Sequence, residues 1–275
     1  MNTTVFKLSP NAISEIWRKT KFLGSLIEFG TLGAGQALRS RILNEEFQDG
    51  SRLTHEYSKK AMKELDFSYQ LRLPEGIAME DLNGSLLCPN HLSYWDVLVI
   101  SALIEGTFVS STDIEKTPFL GDLARMGGSL FIERNDRSRV DQDISQLEQA
   151  LKDQRRVVLF LEGTSTNGSE VLRFKSPLLA AAQKTSSRVF PVTINYHKIN
   201  ESPFGLQNCD LIAWYGEMSF APHLLKFLTA VKTVDVEVIV GQPIKILPSD
   251  DLKSKAEHIR EQVVSKFIGH RKIDE

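Results

Sequence analysis

From about residue 69 onward the chain alternates short apolar runs with stretches of helical periodicity, and that alternation restricts its fold more than any other feature. Strand-like runs fall at Tyr69–Leu73, Ser85–Cys88, Thr107–Ser110, Ser129–Ile132, Val157–Leu161, Val189–Tyr196, Leu211–Trp214 and Val234–Val240. Between several of them lie helical patterns. One has Ser138 and Asp141 spaced as a capping box, with Val140, Ile144, Leu147 and Leu151 along a stripe. The last helix is expected from Ser249, with Leu252, Ala256, Ile259, Val263 and Phe267 on one face and a stop at Gly269. Strands separated by helices pair through crossovers rather than tight hairpins. The expected fold is therefore α/β, with a mixed, mostly parallel central sheet flanked by helices. Functional side chains in such sheets gather on loops leaving the strands' C-terminal ends.

Ahead of that domain, residues 11–47 read as one or two amphipathic helices, with Gly30, Gly33 and Gly35 marking a helix break or close packing. A further helix is expected over 52–66. Residues 1–43 hold six Lys/Arg against two acids, a local +4 within a chain of net −2. Such a segment suits an anionic membrane surface, although a solvated helix face would show the same charge. The stretch Phe22–Leu38 is long enough for a bilayer, but Glu28, Gln36 and several glycines favour an interface-lying helix over a span. The expected division is 1–50 as an N-terminal helical membrane-associating segment and 51–275 as the α/β domain. Residues 2–10 lack the apolar core of a signal peptide, and the cysteine usage fits a reducing compartment. The expected location is the cytoplasmic face of the membrane, with peripheral or monotopic attachment.

The small net charge argues against nucleic acid as a partner. Cys88 and Cys209 are the only cysteines and lie far apart, so no disulfide framework or metal-spaced cluster is expected. No metal and no resident cofactor are expected for the chemistry described below.

The chemistry concentrates in three places. Pro89-Asn90-His91-Leu92-Ser93-Tyr94-Trp95-Asp96 directly follows a strand, and Ser93 with Asp96 has capping-box spacing ahead of an apolar helix, Val97–Ile104. Capping explains Asp96 but leaves His91 without a reason. Because His91 precedes the cap, the chain can bend its imidazole back toward Asp96, which would fix the tautomer and leave the other nitrogen to take a proton. Gly127–Arg134 (GGSLFIER) delivers Arg134 at a strand's C-terminal end, where a guanidinium can bind phosphate by two bonds. Val157–Leu161 runs into Glu162-Gly163-Thr164-Ser165, and Lys175 directly precedes Ser176-Pro177, a good helix start and an anion cradle. The nucleophile elbow of a serine hydrolase fails at Asn167, and no P-loop is present.

Taken in order, NHLSYWD (90–96), GGSLFIER (127–134), FLEGTST (160–166) and VFPVTIN (189–195) resemble the four motif blocks of the glycerolipid acyltransferase family, over roughly residues 53–245. Leu161 stands where the third block usually has proline, and Ser110-Ser111-Thr112 stands where a lysine is common. The segments 171–179 and 213–223 look most like bacterial lysophospholipid and lyso-ornithine-lipid acyltransferases. The resemblance implies transfer of a fatty acyl group from acyl-CoA or acyl carrier protein to a lysolipid hydroxyl in membrane lipid biosynthesis. It implies His91 and Asp96 as catalytic, and Arg134, Glu162, Gly163, Thr164 and Lys175 as substrate-binding. A non-catalytic lipid-binding protein at the membrane surface is the alternative reading.

Overall fold

A computed structural model describes residues 10–43, 50–133 and 137–270. Its strands are β1 Phe67–Arg72, β2 Leu86–Pro89, β3 Thr107–Ser111, β4 Leu130–Ile132, β5 Val157–Val158, β6 Val189–Ile199, β7 Ser202–Pro203 and β8 Val234–Val240. They form one sheet in the order β1-β8-β6-β2-β5-β3-β4, with β7 as a short hairpin partner of β6. Along the main path every neighbouring pair is parallel except β6 with β8. The α/β sheet expected from the alternation is thus present.

The helices are α1 Pro10–Leu43, α2 Gly50–Glu64, α3 Tyr94–Leu103, α4 Thr112–Glu115, α5 Leu120–Met126, α6 Val140–Lys152, α7 Leu179–Thr185, α8 Phe220–Ala230 and α9 Leu252–Val264. They cover the sheet as two layers, each with its own core. Strand alternation sends Leu87 into a core with Phe22, Met62, Trp95 and Phe227 from α1, α2, α3 and α8. Its neighbours Leu86 and Cys88 enter the opposite core, with Leu147, Leu179 and Ile259 from α6, α7 and α9. All four residues of β2 are buried, as expected of a strand covered on both faces.

Several local expectations shift. The run Leu211–Trp214 is not a strand: Cys209–Leu211 form a 3-10 turn, and Ile212 and Ala213 bury themselves in the first core without joining the ladder. Only Val157 and Val158 of the fifth run pair as a strand, although Leu159 N–H still donates to Leu87 O. Helix α6 begins at Val140 after a 3-10 turn, with Arg139 and not Ser138 at its N-cap. Helix α7 starts at Leu179, two residues beyond Pro177. Helix α9 is capped by Asp251, whose carboxylate accepts from Ser254 N–H at 2.8 Å.

The glycines of the N-terminal segment do not break it. Helix α1 is continuous over 34 residues, and no helix among the described residues is long and apolar enough to cross a membrane. Its buried positions Phe22, Ser25, Phe29 and Gly33 recur at helical spacing and face the body. A β-carbon at Gly33 would lie 2.7 Å from the Cβ of Met126, so that glycine lets α1 approach α5. Polar links join α1 to α2 and beyond: Ser25 Oγ donates to Glu64 at 3.0 Å, Lys60 pairs with Glu28 at 2.7 Å, and Arg18 pairs with Asp66.

Candidate active site

The β2–α3 turn carries both readings of Asp96 at once. The carboxylate is fully buried, and its Oδ2 accepts from Leu92 N–H at 2.6 Å and Ser93 N–H at 2.8 Å, which is the capping role. The same oxygen lies 2.9 Å from Nδ1 of His91. A carboxylate facing Nδ1 favours the tautomer with the proton there and leaves Nε2 as the basic nitrogen. Stacking fixes the ring plane: the His91 imidazole lies 3.9 Å from the Phe160 ring, at 22°. The turn is also tied to the sheet, because Asn90 both donates to Ile194 O (3.1 Å) and accepts from Ile194 N–H (2.7 Å) on β6.

The segment after β5 packs beside this turn. Glu162 is buried, with Oε1 accepting from His91 N–H and Oε2 from Leu172 N–H, each at 2.7 Å. Burial pushes its carboxyl up to about 8, against the downward pull of those two N–H donors. Glu162 therefore braces the backbone of His91, with both oxygens already engaged. The chain turns at Gly163, in the left-handed region at φ +74°, where a β-carbon would fall 2.6 Å from Nζ of Lys175. The Lys175 side chain is exposed and lies across Gly163, and its N–H donates to Leu161 O at 2.8 Å. Arg134 lies outside the described residues. Among the described residues no three His, Cys, Asp or Glu side chains are grouped to hold a metal ion.

His91, Gly163 and Thr164 open onto a cavity of about 750 Å³, within the range of ligand sites. Its walls are mainly apolar. Phe22, Leu26 and Phe29 of α1, Leu123 of α5, and Trp95, Leu98 and Phe108 line it, with Phe22 packed against Trp95 at 6.3 Å. Ser110 and Ser111, the residues standing where a lysine is common, line it as well, together with the exposed acids Asp113 and Glu217. Three contributors escaped sequence reasoning. The charge and periodicity of α1 signal a membrane surface and not a cavity wall. Phe160 stands in its motif as one more apolar residue of a buried strand. Tyr196, whose hydroxyl donates to Asp96 Oδ1 at 2.7 Å, follows directly after the fourth motif block. A contact across 100 residues leaves no local signal.

An acyltransferase family model matches residues 72–195. The chain is 31% identical over 193 residues to the lyso-ornithine lipid O-acyltransferase of Rhizobium meliloti (strain 1021), a match covering 68% of this chain and 63% of that protein. It is 30% identical over 185 residues to the lyso-ornithine lipid O-acyltransferase of Brucella abortus (strain 2308), covering 65% and 69%. It thus spans about two thirds of the length of these curated relatives. The crystal structure of the 1-acyl-sn-glycerophosphate (LPA) acyltransferase PlsC from Thermotoga maritima superposes with a TM-score of 0.55, over 93% of this chain and 99% of that one, at 18% identity, which supports the fold. The motif order, the sheet and these matches agree, and the chain belongs to the glycerolipid acyltransferase family.

Proposed function

We propose that this protein is an O-acyltransferase that moves a fatty acyl group from acyl-CoA or acyl carrier protein to a lysolipid hydroxyl at a membrane surface. The observation that carries the proposal is His91 Nδ1 2.9 Å from the buried Asp96, on the wall of an apolar cavity. Nε2 of His91 takes the proton from the acceptor hydroxyl as its oxygen attacks the thioester carbonyl carbon. The tetrahedral intermediate collapses with loss of the C–S bond, and the imidazolium returns its proton to the leaving sulfur. Asp96 stabilises the imidazolium between these events. The apolar cavity holds acyl chain and excludes water, which would otherwise hydrolyse the thioester.

Arg134, Thr164 and Lys175 bind the acceptor head group in this scheme, and the Gly163 turn brings Thr164 to the cavity. Glu162 contributes by holding the His91 backbone. At the cavity rim the exposed acids Asp113 and Glu217 and the nearby Lys175 offer charges of both signs, which suits a zwitterionic head group. The relatives named for lyso-ornithine lipid support the same acceptor class. Residues 1–50 dock the enzyme on anionic lipid from the cytoplasmic side, as a peripheral or monotopic attachment. Exposed Ile16, Leu23 and Ile27 of α1 form the contact stripe. Because the inner face of α1 walls the cavity, deleting the helix would expose that cavity, so docking is better tested by substitutions on the outer stripe.

The test is ester formation from palmitoyl-CoA with lyso-ornithine lipid, lysophosphatidate and lysophosphatidylcholine, followed by mass spectrometry of the lipid product. Ester is expected with the lyso-ornithine lipid at the highest kcat/KM. Binding of all three without any ester would identify a lipid-binding protein instead.

A further inference from the structure

The Asp96 carboxylate is served by two unlike sets of donors. Oδ2 collects three from its own turn, the N–H groups of Leu92 and Ser93 and Nδ1 of His91. Oδ1 receives the hydroxyl of Tyr196, 2.7 Å away on β6. The terminal torsion of an aspartate is broad, so rotamer preference alone does not hold the carboxylate plane at the angle that puts an oxygen on the imidazole. We infer that Tyr196 is a positioning residue for acyl transfer: its hydroxyl fixes the plane of the Asp96 carboxylate from the far oxygen, so that the near one stays in line with Nδ1 of His91. The inference rests on the reading of His91 and Asp96 given above, and adds a residue outside the motif turn.

The anchor is rigid. Tyr196 is buried, its strand pairs with β8 at Val236, and its ring lies 5.9 Å from that of Phe204. The β6–β8 register shifts between Tyr196 and Lys198, an irregularity of the kind that re-aims a side chain. Two residues earlier on the same strand, Ile194 grips Asn90, so β6 holds the turn near its start through Asn90 and at its catalytic carboxylate through Tyr196. Burial, reinforced by the adjacent Asp96 charge, keeps the phenol protonated well beyond its ordinary range, which makes it a constant donor.

The experiment compares wild type, Tyr196→Phe and His91→Ala as full chains, using palmitoyl-CoA and lyso-ornithine lipid. Melting temperature and the ¹⁵N-imidazole NMR spectrum are recorded beside the kinetics, with His91→Ala assigning the His91 signals. Tyr196→Phe keeps the ring packing and removes only the donor. Its kcat is expected to fall roughly 10- to 100-fold, the loss associated with a hydrogen bond to a charged group. KM for both substrates is expected to stay within about two-fold, because a positioning contact acts on the transition state. The His91 spectrum is expected to pass from a single Nδ1-protonated tautomer to a mixture. An unchanged kcat, or a reduced kcat with the wild-type tautomer retained, would overturn the inference by reducing Tyr196 to a packing residue. If Tyr196→Phe does not fold, para-aminophenylalanine at 196 restores a donor at the same place. That protein should keep both kcat and tautomer, and a folded but inactive one would overturn the inference. Wild-type activity in His91→Ala would instead remove the reading beneath it.

Discussion

On the sheet side of the cavity, His91 is held by a ring stack, a 2.9 Å bond to Asp96 and a backbone bond to Glu162. Elsewhere on the cavity wall, α1 offers Phe22, Leu26 and Phe29, seated by packing such as Phe29 on Tyr57 at 5.6 Å, with polar links from Ser25 and Glu28 to α2 beside them. The first wall is polar, half-buried at His91, and tied to β6 through Asn90 and Tyr196. The second is apolar on its inner face and carries exposed Ile16, Leu23 and Ile27 on its outer one. Under the proposed reaction, the contrast follows from what each wall would meet. A proton transfer needs atoms fixed to within a fraction of an ångström, and directional hydrogen bonds supply that. A flexible hydrocarbon chain needs only a dry surface of suitable volume, which non-directional packing supplies.

Substitutions that strike one wall and spare the other sharpen the distinction. Asp96→Asn alters only the polar wall, and kcat is expected to drop roughly 10³- to 10⁴-fold, as when a carboxylate stops orienting a catalytic imidazole. A steady-state thiol-release assay measures it, and a loss below tenfold would detach Asp96 from the chemistry. The double substitution Leu23→Ser, Ile27→Ser strikes the outer face of the other wall. At about 1 kcal/mol for each partly inserted side chain, binding to anionic vesicles should weaken roughly 30-fold, while turnover of detergent-dispersed substrate is kept. Equal sedimentation of both proteins would move the docking surface elsewhere.

Ser58 of α2 is buried, lines the cavity and has a hydroxyl without a hydrogen-bond partner. Ser58→Leu should displace about two methylenes of bound chain and shift preference from palmitoyl toward lauroyl donors roughly tenfold. Competition between the two acyl-CoAs reads that ratio directly, and an unaltered ratio would show that the cavity does not hold the acyl chain.

The smallest effect concerns Glu162. Its carboxyl is raised to about 8 from an ordinary value of 4.5, so the folded state keeps a proton that the unfolded chain gives up in between. That contribution is fully present below about 4.5 and is lost as pH rises through about 8. Glu162→Gln does not titrate and should flatten the decline of melting temperature across this window. Parallel slopes for the two proteins would contradict the assignment.

The same contrast explains what the sequence made legible. The polar wall announced itself because its key residues are local: His91 and Asp96 stand five apart, and Glu162, Gly163 and Thr164 are consecutive. Strands such as Val234–Val240 were legible from their apolar β-branched runs. Four apolar residues at Leu211–Trp214 could not be told from a buried turn by pattern alone, and here Trp214 N–H makes a lone bond to Leu92 O. The role of α1 was hidden in another way. Its inner stripe Phe22, Ser25, Phe29, Gly33 carries one serine and one glycine, and only the approach of Met126 explains the glycine. Tyr196 was hidden because its partner is set by sheet topology and not by spacing.

The most direct measurement is ester formation by His91→Ala, checked by circular dichroism to be folded, beside wild type with palmitoyl-CoA and lyso-ornithine lipid. The expected result is full retention of fold and loss of product by at least about 10³-fold. A folded His91→Ala protein that forms ester at the wild-type rate would contradict the central claim that this imidazole carries the proton.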